Sequence, residues 1–248
     1  MANWILLRGL TRESGHWGSF PAQLERALPD SHVLALDLPG NGALHKQPSA
    51  LRVRDMVSQC RTQLESRSFA PPYALLAMSL GAMVAVQWAY DYPDEVLANV
   101  LINTSMRPFS PFYERLRPAN YASLLKLMLW GASDDEWERC IFNMTTCHSS
   151  AELIPAWIAL RRRHPVARAN ALRQLIAAAT YGARSSPPLT ATLLLAGERD
   201  RLVSVECSKA LARRWQCPLR LHPNAGHDLP QDDGAWVLEQ VGQWLSDY

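Results

Sequence analysis

No stretch of this 248-residue sequence approaches the ~20 consecutive apolar residues that a bilayer-crossing helix needs. The opening residues, Met1 to Arg8, have no basic leader and too short an apolar run for a secretory signal, so a cytoplasmic location is expected. Cysteine is sparse: Cys60, Cys140, Cys147, Cys207 and Cys217 are odd in number, scattered and without paired ligand spacing. That argues against a disulfide framework or a thiolate metal site and for reduced thiols. Charge of neither sign dominates, and a net +2 gives no whole-chain argument for nucleic acid or a membrane surface. What remains, 48% hydrophobic and 19% charged residues, describes an ordinary globular chain with room for one large α/β domain or a core plus an insert.

Strand-like and helix-like runs alternate along most of the chain. Apolar runs at Trp4–Leu7, Val33–Leu36, Tyr73–Met78, Val96–Ile102, Thr192–Ala196 and Leu219–Leu221 predict six strands. Helical spacing recurs at Phe20–Leu28, from Val53 to Leu64, after Gly81, at Cys207–Trp215 and at Ala235–Leu245. Between Arg107 and Ser186 the rhythm breaks: there is no strand-like run, only helix-like stretches interrupted at Pro155. This predicts a doubly wound, mainly parallel α/β sheet of about six strands, formed by residues 1–106 and 187–248. A helical cap, residues 107–186, is inserted above the carboxyl ends of its strands. If the first strand lies between the second and third, the loops after Leu7 and Met78 face each other where the winding reverses.

Ser79 stands alone where the third strand turns into a helix, with small residues two places before and after it, Ala77 and Gly81. Such a turn strains the serine backbone, lifts its hydroxyl off the sheet and aims the first helix amides at the space above it. A hydroxyl needs a base, and the base needs an acid to hold its tautomer. His227, in Gly226-His227-Asp228 after the last short strand, is the best-placed base, and Asp200, a few residues beyond the fifth strand, the best-placed acid. The place after the fourth strand, where a rival carboxylate would sit, holds Asn103. Taken singly, each residue has a plain alternative: a chance turn, a solvated loop histidine, and a surface partner for Arg199 or Arg201.

Four features occur together and in order: Arg8-Gly9-Leu10 after a strand, Asp37-Leu38-Pro39-Gly40-Asn41-Gly42, the elbow at Ser79, and Gly197-x-x-Asp200 followed by Gly226-His227. In this the chain resembles the α/β-hydrolase fold family, over nearly its whole length outside the cap. The resemblance implies a serine esterase with a Ser79–His227–Asp200 triad, an oxyanion hole from the amides of Leu10 and Leu80, and no metal or organic cofactor. A thioesterase or a triad-dependent C–C lyase is the alternative. The chain departs from the family's pattern at Arg8, where His is usual, at Ala77, where Gly is often found, and in lacking Ser or Thr after Gly42. Arg8 either anchors a substrate carboxylate or pairs with an acid such as Asp37 or Glu13. With His16, Trp17, Met78 and Trp130 it makes up the candidate substrate-binding set.

The cap carries eleven Lys/Arg against six Asp/Glu, whereas the remainder of the chain is net acidic. Its arginine cluster, Arg161, Arg162, Arg163 and Arg168, is either a solvated helix face or a docking surface for an acidic partner. In size, cap placement and charge the chain is similar to the methyl-ester esterase branch of biotin synthesis. That branch acts on an acyl chain held by an acidic acyl carrier protein, so the resemblance implies a free or carrier-linked ester substrate.

Overall fold

The computed structural model describes residues 2–129, 132–148 and 150–247, without the side chains of Ala2 and Leu129. Six strands, β1 (Ala2–Leu7), β2 (Ser31–Leu36), β3 (Tyr73–Met78), β4 (Val96–Ile102), β5 (Ala191–Gly197) and β6 (Leu219–His222), form one sheet in the order β2-β1-β3-β4-β5-β6. Every neighbouring pair is parallel. Because strand side chains alternate in direction, the sheet feeds two cores. Ile5, Leu7, Leu75, Ala77, Leu101 and Leu194 pack with α2 (Val53–Ser66), α3 (Leu80–Asp91) and α9 (Val205–Trp215). Trp4, Leu6, Leu76, Met78, Val100 and Leu195 pack with α1 (Phe20–Ala27) and α10 (Leu229–Ser246). This two-sided burial explains why the central strands read as unbroken apolar runs.

Between β4 and β5 the described residues form five α-helices: α4 (Phe112–Arg115), α5 (Tyr121–Leu129), α6 (Asp134–Thr145), α7 (Leu153–Arg163) and α8 (Arg168–Thr180). Pro155 does not interrupt this segment as expected. It lies in the first turn of α7, where a missing N–H costs no intrahelical bond. The last helix also starts six residues before its expected Ala235: a first turn from Leu229 joins the main helix across non-helical backbone at Asp233. α8 is keyed to the loops after β1 and β2 by buried side-chain amides. Gln174 accepts from the Thr11 amide at 2.8 Å and donates to Asn41 Oδ1 and Ser49 Oγ, while Asn170 Oδ1 accepts from the Ser49 amide. Among the described residues no helix is long and apolar enough to cross a membrane.

Candidate active site

Each candidate catalytic side chain sits at the carboxyl end of a strand, and the parallel sheet brings those ends to one rim. Ser79 joins β3 to α3 with φ 54° and ψ −120°, a conformation that costs an L-residue on the order of 1–3 kcal/mol. Its surroundings hold it there: its N–H donates to the Ile102 carbonyl, and its carbonyl accepts from Thr104 Oγ1 and from the Ala82 amide. Gly81 allows α3 to start hard against β1, since a Cβ there would stand 2.6 Å from the carbonyl oxygens of Leu7 and Arg8. On the other side, a Cβ at Gly9 would lie 3.0 Å from Ser79 Cβ, so the Arg8-Gly9-Leu10 loop rests directly on the serine. The amides of Leu10 and Leu80 donate to no acceptor among the described residues.

Asp200 is buried behind the His227 ring, its Oδ2 2.7 Å from Nδ1. Its other oxygen accepts from the amides of Leu202 and Val203, which fixes the carboxylate plane. Burial alone would depress the basicity of His227. The charge and hydrogen bond of Asp200, with a further push from Asp228, outweigh burial and the opposing charge of Arg8, and hold the imidazole above the usual histidine value. The remaining face of the ring opens on a cavity of about 390 Å³ that Ser79, Leu10, Met78 and Arg8 also line. Helices α4, α5, α6 and α8, with Leu116 just after α4, supply much of the wall, including Phe112, Leu124, Ile141, Met144 and Leu175, so it is mainly apolar. No hydrogen bond joins the Ser79 hydroxyl to the His227 ring in this structure; both groups face the same space. A serine hydroxyl turns about a single bond, and such contacts commonly tighten only when substrate binds.

The candidate substrate set divides. Met78 and Arg8 line the cavity, but Arg8 is only 2% exposed and pairs with neither Asp37 nor Glu13. Its guanidinium grips Asp228, Nη1 to Oδ1 at 3.0 Å and Nη2 to Oδ2 at 2.5 Å. Asp37 instead accepts from the amides of Ser14 and Ala43, and Glu13 contacts His164. His16 and Trp17 lie away from the cavity. Trp17 is buried beneath the Arg8 guanidinium, and His16 sits in a polar seam between Arg12 and the Trp157 ring. Trp130 lies outside the described residues. Of the arginine cluster, Arg161 is committed within the fold, at 2.9 Å from Asp134 and over the Trp137 ring, whereas Arg162, Arg163 and Arg168 are exposed.

Two residues at this rim escaped sequence reasoning. Asn103, at the end of β4, donates to the carbonyls of Gly226 and His227 and accepts from the Gly197 amide, stapling the histidine loop to β5. Its signal was position: a polar residue at the carboxyl end of a strand in the same layer as the serine turn. Asp228, next to His227, carried no signal beyond adjacency.

The profile of the Alpha/beta hydrolase family matches residues 4–240, almost the whole chain. The chain belongs to the alpha/beta hydrolase family. Within it, the chain is 26% identical over 220 residues to the "Putative carbamate hydrolase RutD" of Cronobacter sakazakii, covering 84% of this chain and 76% of that one. Among solved structures it is similar to a thermophilic esterase from Thermogutta terrifontis, with a TM-score of 0.77 and 20% identity over 100% of this chain and 90% of that one. It is also similar to the enol-lactonase from Burkholderia xenovorans LB400, with a TM-score of 0.76 and 15% identity over 99% and 91% of the two chains. These structural likenesses are to the alpha/beta hydrolase fold, not to any one reaction.

Proposed function

We propose that this alpha/beta hydrolase cleaves carboxylic esters by acyl transfer through Ser79, with His227 as general base and Asp200 as its orienting acid. The observation that carries the reading is the buried Asp200–His227 pair, whose ring opens onto the same cavity as a serine held at positive φ. Asp200 takes the Nδ1 proton side of the ring, which leaves Nε2 free to accept the serine proton. Ser79 Oγ then bonds to the ester carbonyl carbon, and the carbonyl oxygen becomes an oxyanion facing the amides of Leu10 and Leu80. The tetrahedral intermediate collapses as the imidazolium gives its proton to the departing alkoxide. Water, deprotonated by the same ring, displaces the acyl group as a carboxylic acid and restores Ser79.

The apolar wall suits an acyl or alkyl chain of modest size, free or presented by a carrier. Thioesters and carbamates offer the same carbonyl, so the test is a panel of free and carrier-linked esters, thioesters and carbamates. Pre-steady-state bursts with an activated ester report whether acyl-enzyme accumulates, as a C–C lyase using the same triad need not. Ser79→Ala is expected to abolish turnover and labelling by a serine-directed phosphonate. Retained turnover in that variant would remove the serine mechanism.

A further inference from the structure

We infer that Arg8 and Asp228 act as one positioning unit, which locks the loop bearing the Leu10 amide to the loop bearing His227 and presents the imidazole with nearly cancelled charge. The inference rests on the reading of His227 as base and Leu10 as oxyanion donor. It concerns how those two groups are kept in register.

The two residues are 220 positions apart, yet each is 2% exposed and each adjoins a working group. Arg8 is the first residue after β1 and lies two places before Leu10, separated only by the Gly9 that rests on Ser79. Asp228 directly follows His227 and is the N-cap of α10. The guanidinium is fixed on three sides: both Nη atoms on the Asp228 carboxylate, Nη1 also against Met78 Sδ, and its plane near the Trp17 ring at 4.8 Å. Asp228 is anchored in turn by its own amide, which donates to the Thr145 carbonyl at 2.7 Å. A two-bond fork transmits rotation as well as distance, which a lysine ammonium or an imidazole in the same place would not do. The oxyanion loop and the histidine loop therefore move together or not at all.

The pair also shapes the field at His227. Asp200 contacts its ring from the β5 loop. Asp228 favours the imidazolium from the start of α10, and Arg8 opposes it from the β1 loop. Among the other charged or titratable groups around this rim, Asp232 accepts from the amides of Gly226, Cys147 and His148, and Arg12 lines the cavity while paired to Glu138. Arg199 is bound through its amide to the Ala225 carbonyl, and the Cys147 thiol lies near the Arg199 carbonyl and the Gly226 backbone. Arg8 and Asp228 form a buried ion pair whose two members act on the ring with opposite sign. Removing one member must shift the imidazole one way, and removing the other must shift it the opposite way.

The test uses the full chain and an activated short-chain ester, with kcat and KM measured across the acid limb of the pH profile. Arg8→Gln leaves the Asp228 carboxylate uncompensated and is expected to move the acid-limb midpoint up. Asp228→Asn leaves the Arg8 cation uncompensated and is expected to move it down. The double variant is expected to return close to the wild-type midpoint. Because both single changes loosen the two loops, plateau kcat is expected to fall by about a hundredfold, the scale of a misplaced reacting group, with little change in KM. Arg8→Lys, which keeps the charge without the fork, is expected to hold the midpoint while losing kcat. Midpoints that stay fixed, or move together, in variants whose thermal unfolding still shows a folded state would overturn the inference. Asp228→Asn preserves shape and one acceptor oxygen, so it remains informative if Arg8→Gln does not fold. His227→Ala in the same assay tests the base itself. If it keeps its activity, the base assignment fails. If it is inactive while the Arg8 and Asp228 variants behave as wild type, only the positioning unit fails.

Discussion

Asn103 offers the sharpest stability test, because its one side chain joins three backbone segments. Asn103→Ala removes donors to the carbonyls of Gly226 (3.0 Å) and His227 (2.7 Å) and the acceptor of the Gly197 amide (2.9 Å). At roughly 1 kcal/mol net per bond the loss is about 3 kcal/mol. Asn103 also sits at φ 46°, where asparagine is tolerated and alanine costs about 1 kcal/mol more. The expected destabilisation is therefore about 4 kcal/mol, a large share of the roughly 5–15 kcal/mol that holds a typical domain folded. Urea unfolding followed by fluorescence, with the m-value checked for constancy, measures it. Asn103→Gly loses the same bonds without the left-handed penalty and is expected to be about 1 kcal/mol more stable than Asn103→Ala. Turnover should fall in both variants even where they remain folded, since the carbonyl of His227 itself is released. A loss below about 1 kcal/mol in Asn103→Ala, on the scale of a single hydrogen bond, would refute the idea that this residue staples the loops.

Ser79→Gly is expected to be inactive yet more stable than wild type by about 1 kcal/mol or more, because glycine relieves the positive-φ strain; a thermal melt against Ser79→Ala reads this out. His16 is held neutral, chiefly by burial and then by the cations Arg12 and Arg8; Arg12 donates to its Nε2 at 2.9 Å. Below pH ~6.5 the unfolded chain therefore takes up a proton at this site that the fold refuses, and stability falls with acid by up to about 1.4 kcal/mol per pH unit. His227, raised in the fold, contributes the opposite slope only above pH ~6.5. Between pH 5 and ~6.5 urea midpoints should therefore fall with acid in wild type and stay level in His16→Gln, whereas above it both should decline alike as the pH rises. If an acidic carrier docks on the exposed arginines, reversing the charge of Arg162, Arg163 and Arg168 should raise KM for carrier-linked esters and leave free esters unchanged. Equal effects on both would dismiss that surface.

The fold was largely legible because a sheet buried on both faces leaves continuous apolar runs, and Tyr73–Met78 is buried throughout. The meeting of Ser79, His227 and Asp200 at one rim was legible for a related reason: in a parallel sheet, loops after strands converge, so polar residues at Met78-Ser79, Gly197-x-x-Asp200 and Gly226-His227 fall near one another. Arg161 carries a periodic signal in the sequence. Ile154, Trp157 and Ile158 form the buried stripe of α7, and 161 continues that stripe at helical spacing, whereas 162 and 163 fall off it. Counting the run as a single basic patch hid the one member that turns inward.

The partner of Arg8 was illegible for a different reason. Asp37 and Glu13 were closer in sequence, and nothing in composition or period distinguishes a carboxylate that will be solvated from one that will meet a guanidinium 220 residues away. That choice is made by the convergence of the loops after β1 and β6 at the rim. Once there, burial enforces it: an unpaired guanidinium or carboxylate at 2% exposure is costly, so the two must meet in good geometry or neither can be buried. The same constraint that conceals the pair from sequence therefore places it beside the reacting groups. At such a rim the residue types that break an apolar pattern are those for which a neighbour's charge and orientation matter most to the chemistry.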